Sequence, residues 1–184
     1  MIRIDLHMHS TFSDGTYTPE ELALLGKRRR IRVMSLTDHD TVSGVSRFLR
    51  ECTRQGLRGI PGVELSAEAP YTLHILGYAF DPASGNLAEK LEILRQAREE
   101  RNDHILEKLK GLNMPLTLED VLREAGGEVI GRPHFAKAMV RRGYVRSPDE
   151  AFARYLERGK PAYVSRDRLS PEECLRLIRE ARGV

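Results

Sequence analysis

"IRIDLHMHSTFSDGTYTPEELALLGKRRRIRVMSLTDHD", residues 2–40, decides the fold class of this chain. MIRIDLHMH (1–9) reads as a strand ending on His7 and His9. PEELALLGKRRR (19–30) reads as a helix, opened by Thr18, Pro19 and Glu21 in the pattern of a capping box with proline at the first helical position. IRVMSLTDHD (31–40) reads as a second strand that runs into a loop. Strands alternating with helices imply parallel βα units, and sites in such folds lie at the C-terminal ends of the strands.

Outward from this stretch, GVSRFLRECTRQG (44–56) reads as a helix, RGIPGVELS (58–66) as a third strand and LHILGYAF (73–80) as a fourth. From about Asn86 the pattern changes. Apolar residues at 87, 91, 94, 105, 109 and 112 keep a helical period over a long stretch. TLEDVLREAGG, RPHFAKAMVRRG and SPDEAFARYLERG read as three further helices. The expected organisation is an α/β body over residues 1–85, an all-helical insertion or cap over 86–160, and a return to the body over 161–184. That return begins near PAYVS and continues with the helix PEECLRLIREARG. Ser147-Pro148-x-Glu150 and Ser170-Pro171-x-Glu173 repeat the capping signature, which calls for structure and no chemistry.

Hydrophobic residues make up 40% of the 184 and charged residues 31%, the balance of an ordinary globular protein. No apolar run approaches the ~20 residues of a membrane span, and the N-terminus lacks a secretory h-region. Cys52 and Cys174 have neither metal nor redox spacing and read as reduced thiols, so a cytoplasmic chain without membrane contact is expected. Net charge is only +3. The arginine runs at 28–30 and 141–142 read as solvated helix faces, compatible with a phosphate-bearing substrate. No recognition motif supports duplex DNA binding.

Side chains two apart on a strand share a face, so His7 and His9 project together. Alone, such a pair is equally well two polar residues at a strand terminus. His39 also ends an apolar strand, flanked by Asp38 and Asp40, while Glu64 takes the same place on the third strand and His74 follows in LHILGY. Asp14, in the turn SDG, is close enough to His9 to join them; by itself it is an ordinary turn aspartate. Histidine with carboxylate and no cysteine suits Mn²⁺, Zn²⁺ or Fe²⁺. A cluster of this size can hold two or three ions, with Glu64 as a bridge, and two-metal sites suit in-line phosphoryl displacement. Arg132 and His134 fall at a helix start, where free N–H groups favour anions. Arg101 and Asn102 lie in a charged helical run that reads as a solvated face, and His104 as a surface or packing residue.

DLHMHSTFSDGT, SLTDHD, PGVELS and LHILGY resemble, in order and approximate spacing, the first motifs of the PHP (polymerase and histidinol phosphatase) superfamily of metal-dependent phosphoesterases. ERND, GRPHFAKAMV and YLERGKPAYV narrow the resemblance to the branch of bacterial nucleoside 3′,5′-bisphosphate phosphatases and the related 5′–3′ oligoribonucleotide exonuclease. The resemblance implies a distorted (β/α)7 barrel with a helical insertion. It implies that His7, His9 and Glu64 hold one divalent ion, Glu64 and His74 a second, and Asp14 and His39 a third, Mn²⁺ being the first choice. The attacking group would be a metal-bound hydroxide, with no side-chain nucleophile. Arg101, Asn102, Arg132 and His134 become expected contacts to a small nucleotide or short oligoribonucleotide.

One departure stands out. Members of this branch continue with an Ala-His-Pro strand end, a later histidine and a Gly-Ser-Asp-x-His motif, whereas this sequence stops at Arg182-Gly183-Val184. The barrel is therefore expected to be incomplete at the C-terminus, to bind metal more weakly or in fewer copies, and to leave an open sheet edge that invites oligomerisation. Histidinol-phosphate phosphatase and a non-catalytic nucleotide-binding fragment are the alternatives these features leave open.

Overall fold

The structure is a computed structural model and describes residues 2–125, 129–165 and 168–184. β1 (Arg3–Met8), α1 (Pro19–Arg28) and β2 (Ile31–Leu36) form the expected βαβ unit, with β1 and β2 parallel. The Thr18 capping box starts α1: the Thr18 hydroxyl accepts the Glu21 N–H and the Glu21 carboxylate accepts the Thr18 N–H at 2.8 Å. α2 (Val45–Gln55) stops at Gly56, whose φ of 67° is the left-handed turn that glycine makes without a Cβ clash. β3 (Arg58–Ala67) then lies parallel to β2.

β4 (Leu73–Tyr78) departs from the expected parallel pattern and runs antiparallel to β3. Only residues 68–72 link the two strands, whereas a parallel neighbour needs a crossover of about a dozen residues or more. The sheet order is β1-β2-β3-β4, yet the Tyr78 hydroxyl in β4 donates to the Leu6 carbonyl in β1 at 2.9 Å. The sheet must curl for its outer strands to meet.

Contacts divide the chain into two compact units, Met1–Arg95 with Arg168–Val184, and Gln96–Asp167. α3 (Gly85–Gly111) begins in the first and ends in the second. α4 (Leu118–Leu122), α5 (Arg132–Arg141), α6 (Pro148–Ala151) and a π-helical turn (Phe152–Leu156) follow in the second unit, and α7 (Pro171–Glu180) lies in the first. The described residues of the second unit form no strand. PAYVS does not return the chain to the sheet: residues 161–165 are irregular, and Ala162 and Val164 pack in the second unit's core. The first unit resumes at Arg168, and Leu169 there bridges Ala67 and accepts the Glu68 N–H at 2.8 Å. Gly126 and Gly127 of the expected helix 117–127 lie outside the described residues.

Two apolar clusters build the first unit. Leu22, Ala23, Met34, Leu36, Phe48 and Cys52 join α1 and α2 to β2, so closely that a Cβ on Gly26 would stand 2.1 Å from the Met34 sulfur. Val63 and Leu65 of β3 pack with Leu87, Leu91, Leu94, Leu177 and Ile178. Alternate strand residues face opposite sides, so burying Val63 and Leu65 turns Gly62, Glu64 and Ser66 to the other face. Of the helical positions expected to be apolar contacts, Leu112 alone falls short, 36% exposed at the end of α3.

Candidate metal centre

The strand directions explain how six residues distant in sequence meet. His7 is the penultimate residue of β1 and His9 follows the strand, while His39 follows β2 and bridges Glu64 in parallel register. Glu64 is within β3, not at its end, because β3 continues as half of the hairpin with β4. His74 is at the start of β4, opposite Ser66. The reversed direction of β4 is what delivers it: the first residues of an antiparallel strand lie beside the last residues of its neighbour. Asp14 comes from the loop after β1, whose Gly15 leaves no room for a side chain, since a Cβ would stand 2.0 Å from the His9 carbonyl oxygen.

Glu64 is the hub. Its Oε2 is 2.8 Å from His7 Nε2, 3.1 Å from His9 Nε2 and 3.6 Å from His39 Nδ1, and its Oε1 is 2.6 Å from His74 Nδ1. Asp14 joins from the other side, 3.3 Å from His9 Nδ1 and 3.6 Å from His39 Nε2. Ring centroids of successive histidines, His7 to His9 to His39 to His74, are 5.1, 4.6 and 4.9 Å apart. Three overlapping groups result: His7, His9 and Glu64; His9, Asp14 and His39; and His39, Glu64 and His74. Donors that share one ion at bonds of about 2.1 Å must lie within about 4 Å of one another. Nitrogen and carboxylate donors at these separations fit divalent ions of intermediate softness.

The same proximity sets the charge states. Burial pushes the Glu64 carboxyl up, but hydrogen bonds from His9 and His7, the field of His39 and the hydrogen bond from His74 outweigh it and hold the group well below the usual carboxylate range. A hydrogen bond from His39 is the main cause that brings Asp14 down to about 2. His9 is raised above its ordinary value, chiefly by its hydrogen bond to Glu64. Both acids are thus anionic and ready to ligate, while the bond to Glu64 favours the protonated form of His9, which must give up its proton to ligate a cation.

The carboxylates flanking His39 have functions that the sequence did not reveal. Asp38 is 1% exposed and accepts from Ser10 N–H (2.7 Å), Ser10 hydroxyl (2.6 Å) and Ser13 hydroxyl (2.5 Å). Asp40 adopts a left-handed φ of 53° and accepts from Ser66 N–H (2.7 Å) and Ser66 hydroxyl (2.9 Å). The two neighbours of His39 therefore grip the loop after β1 on one side and β3 on the other. A D-H-D triplet with serines nearby was the available signal.

The expected substrate residues lie in the second unit. Arg101 and Asn102, read from sequence as a solvated face, are buried, 6% and 3% exposed. Arg101 donates to Asn102 Oδ1 at 2.6 Å and to the Ile130 carbonyl at 3.2 Å, the inward face of α3 being invisible in a run so rich in charge. Arg132 donates to the Leu156 carbonyl at the end of the π-helical turn at 3.2 Å, and its guanidinium lies 5.3 Å from the Tyr163 ring centroid. His134 is buried, and its Nδ1 accepts the Gly131 N–H at 3.0 Å, which assigns the ring proton of the neutral imidazole to Nε2. His104 is exposed.

Comparison with known proteins matches this arrangement to one family. The model of the PHP domain matches residues 5–125. A 3′,5′-nucleoside bisphosphate phosphatase of Chromobacterium violaceum is 35% identical over 186 residues, spanning 100% of this chain and 65% of that protein. The 5′-3′ exoribonuclease Rnm of Escherichia coli is 35% identical over 182 residues, spanning 97% of this chain and 62% of that protein. Among solved structures, an amidohydrolase of C. violaceum with bound sulfate and no metal superposes with a TM-score of 0.86 at 34% identity, over 99% of this chain and 65% of that one. A candidate metal-dependent phosphoesterase of Bifidobacterium adolescentis gives 0.84 at 29% identity, over 100% and 65%. This chain thus spans a little under two thirds of the length of these relatives. With a matching model over most of its length and a histidine–carboxylate cluster within the matched residues, the chain belongs to the PHP domain family.

Proposed function

We propose that the chain forms the metal-binding part of a phosphoesterase acting on small nucleotides, removing the 3′-phosphate of nucleoside 3′,5′-bisphosphates or trimming short RNA from its 5′ end. The observation that carries this is the set of three ligand groups that share His9, His39 and Glu64. Glu64, as a carboxylate common to two of the groups, can place neighbouring ions close together, as in two-metal sites for phosphoryl displacement, while each imidazole serves one ion. Two or three divalent ions, Mn²⁺ first, would be held by His7, His9, Asp14, His39, Glu64 and His74. When bound, such ions supply Lewis-acid activation of water and charge neutralisation of phosphoryl oxygens.

The protein's own contribution is to hold these donors rigidly and to keep both carboxylates ionised. We assign the phosphate contacts to the helical second unit, read as an insertion. At the start of the ten-residue helix α5, where N–H groups favour anions, stand His134, held by the Gly131 N–H, and Arg132, oriented by Leu156 and Tyr163. Arg101 and Asn102 complete the set. Relatives named for a bisphosphate phosphatase and for an exoribonuclease, each 35% identical, support both substrates equally.

The test is phosphate release in Mn²⁺ from a nucleoside 3′,5′-bisphosphate and, in parallel, nucleotide release from a 5′-phosphorylated RNA trimer. Turnover of either by the wild type, lost in His9→Ala and Glu64→Ala with their circular dichroism unchanged, is expected. Equal turnover in all three proteins would remove the assignment.

A further inference from the structure

Asp38 belongs to none of the three ligand groups, although it precedes His39 in sequence and is almost wholly buried. Its three hydrogen-bond donors, Ser10 N–H, Ser10 hydroxyl and Ser13 hydroxyl, all belong to the loop that begins at His9 and carries Asp14. One carboxylate therefore fastens together the segments that supply every member of the His9–Asp14–His39 group. The backbone offers a lesser tie at this level: Thr37 N–H donates to the Met8 carbonyl at 2.9 Å, and the remaining loop bonds, such as Ser13 and Gly15 N–H to the Ser10 carbonyl, close the loop only upon itself. Ser13 carries the connection further, its hydroxyl standing 2.5 Å from Asp38 and 3.5 Å from His9 Nδ1.

We propose that Asp38 is a positioning residue that sets the loop after β1 at the distance from His39 which the ion shared by His9, Asp14 and His39 requires. The proposal rests on the reading of the cluster as a metal centre. Its physical basis is that buried, charge-assisted hydrogen bonds are short and directional, and that partners lying behind the ligands fix ligand geometry and typically govern metal affinity by 10–100-fold. Asp40 grips Ser66 of β3, so it holds a different neighbour of His39 and does not substitute for Asp38 at the loop.

The experiment is a Mn²⁺ titration of the metal-stripped protein, reading bound ions per chain and the dissociation constant of each class. Asp38→Asn keeps the size of the side chain and replaces one acceptor oxygen by a donor facing donors. It is expected to bind one ion fewer than the wild type at a fixed Mn²⁺ concentration, or to hold the weakest ion about 10–100-fold less tightly. Asp120→Asn removes a buried carboxylate in the second unit and controls for destabilisation alone: it is expected to lower the melting temperature with the wild-type ion count retained. If Asp38→Asn does not fold, Ser13→Ala removes a single hydroxyl, and a several-fold weakening of one ion class is expected. A folded Asp38→Asn, or in its place a folded Ser13→Ala, with wild-type stoichiometry and affinity overturns the positioning role. A loss of ions equal in Asp120→Asn and Asp38→Asn overturns it too. A wild type that binds no Mn²⁺ overturns the metal reading itself, a distinct outcome.

Discussion

In the second unit, Asp120 accepts from Arg142 at 2.7 Å and caps α4 by accepting the Thr117 N–H at 3.0 Å; in the first, Glu64 faces four imidazoles and Asp14 two of them. Asp120 meets a permanent cation and a backbone donor, and its bonds close a helix start that the fold needs. The first unit's cluster closes nothing of that kind. Four histidine rings, tilted or edge-on with successive centroids 4.6–5.1 Å apart, turn their nitrogens to two carboxylates, and among the described residues these side chains cap no helix. Polar groups that serve the fold finish their bonding within the chain, whereas those that serve a ligand converge on a point that the chain leaves to something else.

Removing the hub should widen this contrast most. Glu64→Ala is expected to abolish Mn²⁺ binding in the two groups that contain it and to reduce phosphoesterase turnover to background, with circular dichroism intact; isothermal titration and a phosphate assay would read both. Phe135→Ala, in the core of the second unit, should do the reverse. It should lower stability by about 3–5 kcal/mol through transfer and cavity costs, measured by urea unfolding, while folded protein keeps its ions.

Acid and metal titrations distinguish the regions further. Asp120 has its carboxyl lowered from an ordinary 3.8 to about 2, first by the hydrogen bond from Arg142. A depressed acid stabilises the fold fully above its unfolded value, and that contribution is lost as pH falls from about 4 towards 2. The stability of wild type should therefore drop over that window relative to Asp120→Asn. In the metal centre the sign is opposite in proton terms: His9, raised by Glu64, must lose its proton to ligate. Mn²⁺ affinity should rise with pH through the His9 titration, with proton release seen in weakly buffered calorimetry. The smallest effect is expected at Thr18→Ala, which removes one capping side chain from α1 and costs about 1 kcal/mol.

What the sequence disclosed follows the same division. His7, His9, His39 and Glu64 were legible because strand ends and period-two spacing map directly onto one face of a sheet. The direction of β4 was not legible from alternation, since it depends on the length of the link through residues 68–72, and that direction is why His74 arrives at the site. The roles of Asp38 and Asp40 were not legible, because their hydrogen bonds to Ser10, Ser13 and Ser66 span 25–28 residues and leave no local pattern. Arg101 and Asn102 were misjudged as exposed: α3 buries its charged middle against the Ile130 segment, and charge alone cannot indicate which helical face turns inward. The Thr117–Asp120 capping box was not legible from the usual pattern, because aspartate stands where glutamate or glutamine is familiar.

The most direct test of the metal centre is a crystal of this chain soaked in Mn²⁺ and measured at the manganese absorption edge. Anomalous peaks are expected about 2.2 Å from the donors of His7, His9 and Glu64, and of the groups that share His9, His39 and Glu64. A map from a fully soaked crystal with no peak among these six residues, or with peaks only elsewhere, would contradict the assignment.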